Sequence, residues 1–336
     1  MNRYLFSLLL LFILGCGSDK PPAPDVSHIQ VNMPLRHFEK DFFSIDTART
    51  AAELDRLQQA YGSFLQDYLY NILQLPPEKD SIISIVNSFI RDYKDVYQYS
   101  QKNINNLKEH HKQVEQAMRY VKHYFPAYPL PPAFITFIGP VEGFGNVLTE
   151  SGLAVGLHMY LGASNAIYHS EHVRDIYPTY QSRRFKQEYI PVNCVKNIVD
   201  DLYPANLAGK VLVENMVEQG KRMYLLDIFL PETADTLKTG YTEKQLEACR
   251  ENEAYIWAFF IENGLLFKAD PPLIRDYVND GPSTPVFGSE SPGNIAQFVG
   301  WQIVKKYVKE NPGITPGQLL QVPAQELFQD AKYKPK

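Results

Sequence analysis

Only one interval of this 336-residue chain carries the chemistry of a β-sheet, and that restriction narrows the possible folds more than any other feature. Residues 133–138 (AFITFI) concentrate aromatic and β-branched side chains, which suit a pleated surface. Residues 152–162 (GLAVGLHMYLG) read as a second strand, with glycines marking bulges or close backbone approaches. Between them, Gly139-Pro140 and Gly143-Phe144-Gly145-Asn146 are turn chemistry. The rest of the chain repeats its apolar residues at helical spacing. The expected class is therefore α+β, predominantly α-helical: one domain of many helices over residues 29–336 with a small inserted sheet around residues 133–162.

Residues 29–43 alternate and are rich in aromatics, an extended lead-in. Thr50-Ala51-Ala52-Glu53 has the form of a capping box. Behind it Leu54, Leu57, Tyr61, Phe64, Tyr68 and Ile72 recur at steps of three and four, one core-facing stripe that Pro76-Pro77 ends. Asp80 is the expected cap of a helix with the stripe Ile82, Ile85, Phe89, Tyr93 and Val96. A third helix carries Ile104, Leu107, Val114, Met118, Val121 and Phe125 up to Pro126. After the sheet, residues 184–202 are a weaker helix, interrupted at Pro191, and residues 207–225 a clearer one. Thr242-Glu243-Lys244-Gln245 is a second capping box, opening a helix to about Asn263, with Gly264 at the position of a left-handed cap. Residues 293–310 form another helix, and two short ones open at Pro316 and Pro323, each suited to a first helical position.

The amino-terminal residues limit where such a fold works. Arg3 precedes an apolar run over residues 4–14, and Gly15-Cys16 follows. The run falls well short of the roughly twenty residues that span a bilayer. A basic start, a short apolar core and a small residue at the cut describe an export signal, residues 1–15. Ile13-Leu14-Gly15-Cys16 fits a lipoprotein signal, with Cys16 as the residue that is acylated and becomes the new amino terminus. Residues 17–27 (GSDKPPAPDVS) form a semi-rigid proline-rich spacer, so that residues 16–28 tether the body to a membrane without crossing it. Two further cysteines, Cys194 and Cys249, either bond in the oxidising envelope or stay buried thiols.

Composition fits a folded body: 45% hydrophobic and 13% aromatic residues supply a substantial core. A net charge of −5 argues against nucleic acid as a partner, since phosphate binding needs a basic face. No catalytic constellation is visible. His-Glu-x-x-His, Gly-x-Ser-x-Gly and a phosphate-cradling glycine loop are all missing, and no metal or other cofactor is expected. His169 and His172 belong to a solvated polar loop. Carboxylates such as Glu150, Glu214, Glu218 and Glu253 define no acid–base pair by spacing. Three polar-aromatic clusters offer candidate ligand or partner contacts: Glu218 with Lys221, Glu253 near Trp257, and Trp301 in the Gly300-Trp301-Gln302 segment. The Glu218–Lys221 pair, three apart on a helix, is worth a few tenths of a kcal/mol if exposed. Both tryptophans read more readily as core anchors than as ligand platforms.

At these clusters the chain resembles the gliding motility lipoprotein GldB family. The resemblance rests on Cys16, on Phe38-Glu39-Lys40-Asp41-Phe42-Phe43-Ser44-Ile45-Asp46 and on Gly156-Leu157-His158-Met159-Tyr160-Leu161-Gly162. Further along it rests on Gly220-Lys221-Arg222-Met223-Tyr224, Gly240-Tyr241-Thr242, Asn252-Glu253-Ala254-Tyr255-Ile256-Trp257, Gly300-Trp301-Gln302-Ile303-Val304 and Lys332-Tyr333-Lys334-Pro335. The resemblance implies an envelope lipoprotein required by gliding and the associated secretion machinery, without an established enzymatic activity. The family is in turn similar to helical zinc-peptidase scaffolds, which would make this a degenerate zincin-like scaffold whose helix around residues 189–202 lacks both histidines. Asp46-Thr47-Ala48, Asp80-Ser81-Ile82 and Asp235-Thr236-Leu237 resemble the O-glycosylation tripeptide of such bacteria, and read equally well as caps and turns. The expected function is a non-catalytic, lipid-anchored envelope protein, most simply in the outer membrane, acting on envelope motility or secretion proteins. An envelope hydrolase of zinc-peptidase ancestry and a solute-binding lipoprotein are the alternatives.

Overall fold

The computed structural model describes residues 23–336. Cys16, the signal and the start of the spacer lie outside the described residues. Helices dominate, around a four-stranded mixed sheet. The strands are β1 (Leu35–His37), β2 (Phe134–Phe137), β3 (Asn146–Thr149) and β4 (Gly152–Gly156), in the order β1-β2-β4-β3. β1 and β2 run parallel, as do β2 and β4, while β3 returns antiparallel to β4. The class is α+β and predominantly helical, as the sequence implies. The sheet is larger than the two strands legible in sequence: part of the extended lead-in adds to one edge, and Asn146–Thr149, which overlaps the turn reading only at Asn146, becomes the other.

Each face of the sheet buries a different layer. Phe134, Ile138, Leu153 and Val155 face helices α3 (Leu107–Tyr124), α4 (Ile190–Leu202) and part of α5 (Leu212–Phe229). Ala133, Ile135, Phe137 and Ala154 face an aromatic layer of Phe38, Phe42, Tyr61, Phe64 and Tyr68. Its rings meet edge to face, as their quadrupoles favour, with Phe38 and Phe64 centroids 5.0 Å apart. Tyr68 also donates to the Ile138 carbonyl at 2.7 Å, satisfying a buried hydroxyl. A third layer gathers the carboxyl-terminal helices, among them α7 (Ile295–Glu310) and α8 (Ala324–Ala331), around the start of α5. α5 belongs to two layers, which explains why it is buried on most sides, polar side chains included. It crosses α7 at Gly220 and Gly300, where a Cβ on either would lie 2.1 Å or less from a carbonyl oxygen.

Several local readings change. The long stripe ending at Ile72 stays buried, but its helix breaks: α1 (Thr50–Tyr61) stops at Gly62, whose φ of +57° suits glycine. A helical turn over Ser63–Gln66 and a π-helical turn over Asp67–Ile72 continue the burial. Thr50 caps nothing; its hydroxyl donates instead to Asn87 Oδ1 at 2.6 Å, and Arg49 holds the cap position. Asp80 likewise lies inside the first turn of α2 (Lys79–Asp92), behind a Glu78 cap. Pro191 starts α4 rather than interrupting it, its missing N–H falling among the first-turn amides that lack helical partners. Pro323 sits one residue before α8. The Thr242–Gln245 box forms as expected, and Pro316 opens its helix behind a second box made by Thr315 and Gln318. Gly264 has φ +60°, the left-handed cap. Cys194 and Cys249 are both free and buried in separate layers, and burial pushes the Cys249 thiol up to about 12.

Candidate functional site

The four candidate side chains do not converge. Glu218 and Lys221 do meet, on α5. Lys221 is fully buried, and its ammonium donates to the Val322 carbonyl at 2.7 Å and to Tyr203 Oη at 3.3 Å, with Glu218 Oε1 3.6 Å away. Tyr203 donates to Glu218, and Lys210 Nζ lies 3.2 Å from the same carboxylate. Burial lowers the Lys221 pKa and Glu218 pulls it back up. The exposed-pair magnitude therefore does not apply: the cluster ties α5 to the carboxyl-terminal segment at Val322. Trp301 is buried elsewhere, donating from Nε1 to Asp227 Oδ2 at 2.6 Å, while the fully buried Lys238 donates to Asp227 Oδ1 at 2.7 Å. The Lys305 ammonium sits 4.0 Å above the Trp301 ring. Glu253, opening α6 (Glu253–Glu262), accepts from Tyr333 Oη at 2.6 Å and so fastens the tail.

A different set of polar residues gathers where α4 meets the sheet. Asn193 and Asn197 lie four apart on that helix, with Cys194 beside them. Asn193 Nδ2 donates to Tyr160 Oη at 3.0 Å, and that hydroxyl donates to Asn146 Oδ1 at 3.0 Å. Asn146 Nδ2 donates to Cys194 Sγ at 3.4 Å. Burial drives the Tyr160 and Cys194 pKa values upward, so both stay neutral at physiological pH. Amides, a phenol and a thiol bind and position by hydrogen bonding; none supplies a charged base. The sequence signal for the group is Asn193 and Asn197, four apart and flanked by Val192, Val195, Ile198 and Val199, a pattern that the sequence reading did not single out.

Asn146 opens β3, and on the other face of that strand lies an open groove of about 690 Å³. Its floor is Val147 and Thr149; its wall is formed by Gln58, Gln66 and the π-helical turn with Asp67 and Asn71. Glu150 closes one end. Among the described residues the lining carries two carboxylates, Asp67 and Glu150, and no cation. A smaller cavity of about 380 Å³ borders β1 and the buried Glu39, whose carboxylate already accepts from Thr136 Oγ1 at 2.6 Å. Among the described residues no group of His, Cys, Asp and Glu is arranged to hold a metal ion, and no helix is long and apolar enough to cross a membrane.

The backbone of β3 completes the groove. In an antiparallel ladder, paired residues alternate between bonded and non-bonded positions. The Gly156 N–H donates to the Gly145 carbonyl, so the register leaves Asn146 and Leu148 in non-bonded pairs, their N–H and C=O groups pointing away from β4. The Asn146 carbonyl takes a long bond, 3.5 Å, from Asn197 Nδ2. The outward groups of Leu148 have no partner among the described residues.

No curated protein and no solved structure matches the chain. A family model described as gliding motility protein GldB matches residues 19–335, nearly the full length. The chain therefore belongs to the gliding motility protein GldB family.

Proposed function

We propose that this protein is a lipid-anchored component of the cell envelope that serves gliding motility by binding other proteins, without catalysing a reaction. The family match over residues 19–335 carries the reading. The site supports it: a groove beside an unpaired strand edge offers hydrogen bonds and carboxylates to a polypeptide, and the adjacent cluster is neutral and internally bonded. Cys16, acylated, holds the chain on the outer membrane through the proline-rich spacer, since several acyl chains at about 0.8 kcal/mol per buried CH₂ anchor a protein firmly. The test replaces the chromosomal copy with Cys16→Ala and follows membrane fractionation together with colony spreading. The proposal expects the variant to leave the membrane fraction and spreading to fail. A variant that stays membrane-bound and supports normal spreading contradicts it.

A further inference from the structure

The proposed function leaves open what the protein binds. Resting on that reading, the geometry points to a specific mode: the free edge of β3 takes up an extended, basic segment of a partner protein as an added strand. Three observations converge. The Leu148 N–H and C=O face outward without partners among the described residues, and the Asn146 N–H points the same way, one strand repeat along. Such a row of main-chain groups is a template for an incoming strand. Beside it the groove gives alternate side chains of that strand a place to lie, over Val147 and Thr149 and against the π-helical turn. Among the described residues its charges are Asp67 and Glu150, which select lysine or arginine on the incoming segment.

The same charges argue against a second copy of this chain. A second copy would bring the same carboxylates and, among the described residues, no cation to this edge, and β3 is only four residues long. Short edges flanked by charge resist self-pairing. A basic partner strand meets no such repulsion.

The test uses the full chain in detergent and fluorescein-labelled octapeptides read by fluorescence anisotropy. One probe alternates valine and lysine, and another alternates valine and glutamate. Leu148→Pro removes the outward N–H without breaking a bond to β4, while Leu148→Ala trims the same side chain and keeps the N–H. The proposal expects the valine–lysine probe to bind and the valine–glutamate probe to bind at least about tenfold more weakly. Leu148→Pro should weaken binding about tenfold relative to Leu148→Ala, and the pair Asp67→Asn with Glu150→Gln should weaken it roughly fivefold. Equal binding of the two probes, or equal binding by Leu148→Pro and Leu148→Ala when both retain wild-type circular dichroism, overturns it. In cells, wild-type spreading by Leu148→Pro beside failure of Cys16→Ala overturns strand addition alone. Normal spreading by both variants contradicts the functional reading itself.

Discussion

Replacing Gly300 by alanine tests the packing that holds the helical layers together. An added Cβ would sit 1.6 Å from the Met216 carbonyl oxygen and 2.3 Å from its carbon, both backbone atoms of α5. Carbon–oxygen contacts settle at about 3.3 Å or more, so the two helices must part by roughly 1.7 Å at their crossing. Opening a contact by about 1 Å already forfeits up to half of its dispersion energy. Overpacking ordinarily costs about 1–3 kcal/mol, and a rigid backbone obstacle puts this site at the upper end or beyond. Alanine regains about 1 kcal/mol of helix propensity, leaving a net loss of about 2–3 kcal/mol. At roughly 1.5 °C per kcal/mol for a body of this size, the melting temperature should fall by about 3–5 °C. Thermal unfolding followed by far-ultraviolet circular dichroism measures it. Gly317→Ala is the control, because nothing lies within 4 Å of its added Cβ and its φ is not left-handed. That variant should match or slightly exceed wild-type stability. A Gly300→Ala protein as stable as Gly317→Ala refutes the close crossing.

Three further outcomes follow from buried groups. His158 is fully buried, its Nδ1 accepts from the Gly139 N–H at 2.9 Å, and burial holds its pKa down to about 3. The unfolded chain then binds a proton that the folded chain refuses, so stability is intact above about pH 6.5 and falls by up to about 1.4 kcal/mol per unit below it. Urea midpoints at pH 7 and pH 5 should show that loss in wild type and a smaller one in His158→Gln; equal losses would sink the assignment. Lys221→Met strands the Val322 carbonyl and takes one cation from Glu218, which keeps Tyr203 and Lys210; it should cost about 1–3 kcal/mol, read as a lower urea midpoint, whereas a change under about 0.5 kcal/mol would mean that the cluster is idle. Native protein should leave Cys194 and Cys249 unmodified by Ellman's reagent until denaturant is added; prompt labelling of either would contradict their burial.

Much of the helical frame was legible because burial imposes a period. The stripe Leu57, Tyr61, Phe64, Tyr68 and Ile72 is buried as its spacing implies, even though Gly62 breaks the helix that carries it. The Thr242 box and the Gly264 cap are local chemistry, and both appear as read. The Thr50 box failed because the helix takes Arg49 as its cap, leaving Thr50 in the first turn, where its hydroxyl donates to Asn87, 37 positions away. β3 was hidden for a related reason. Residues 146–149 are few and follow glycines, so only their register with β4, and not their own pattern, makes them a strand. The site inherits that blindness: an unpaired edge is a property of the sheet as a whole. Lys221 shows the same limit in energy, since Val322, about a hundred positions away, turns an ordinary helix pair into a buried clamp.

The most direct test places a photo-crosslinking residue in the groove of the protein in intact cells. Gln66 and Glu150 are the positions, with exposed Glu310 as the control. The account predicts one discrete crosslinked product from both groove positions, lost with Leu148→Pro and not formed from Glu310. Crosslinking only from Glu310, or none from variants that still support spreading, would contradict a partner-binding edge.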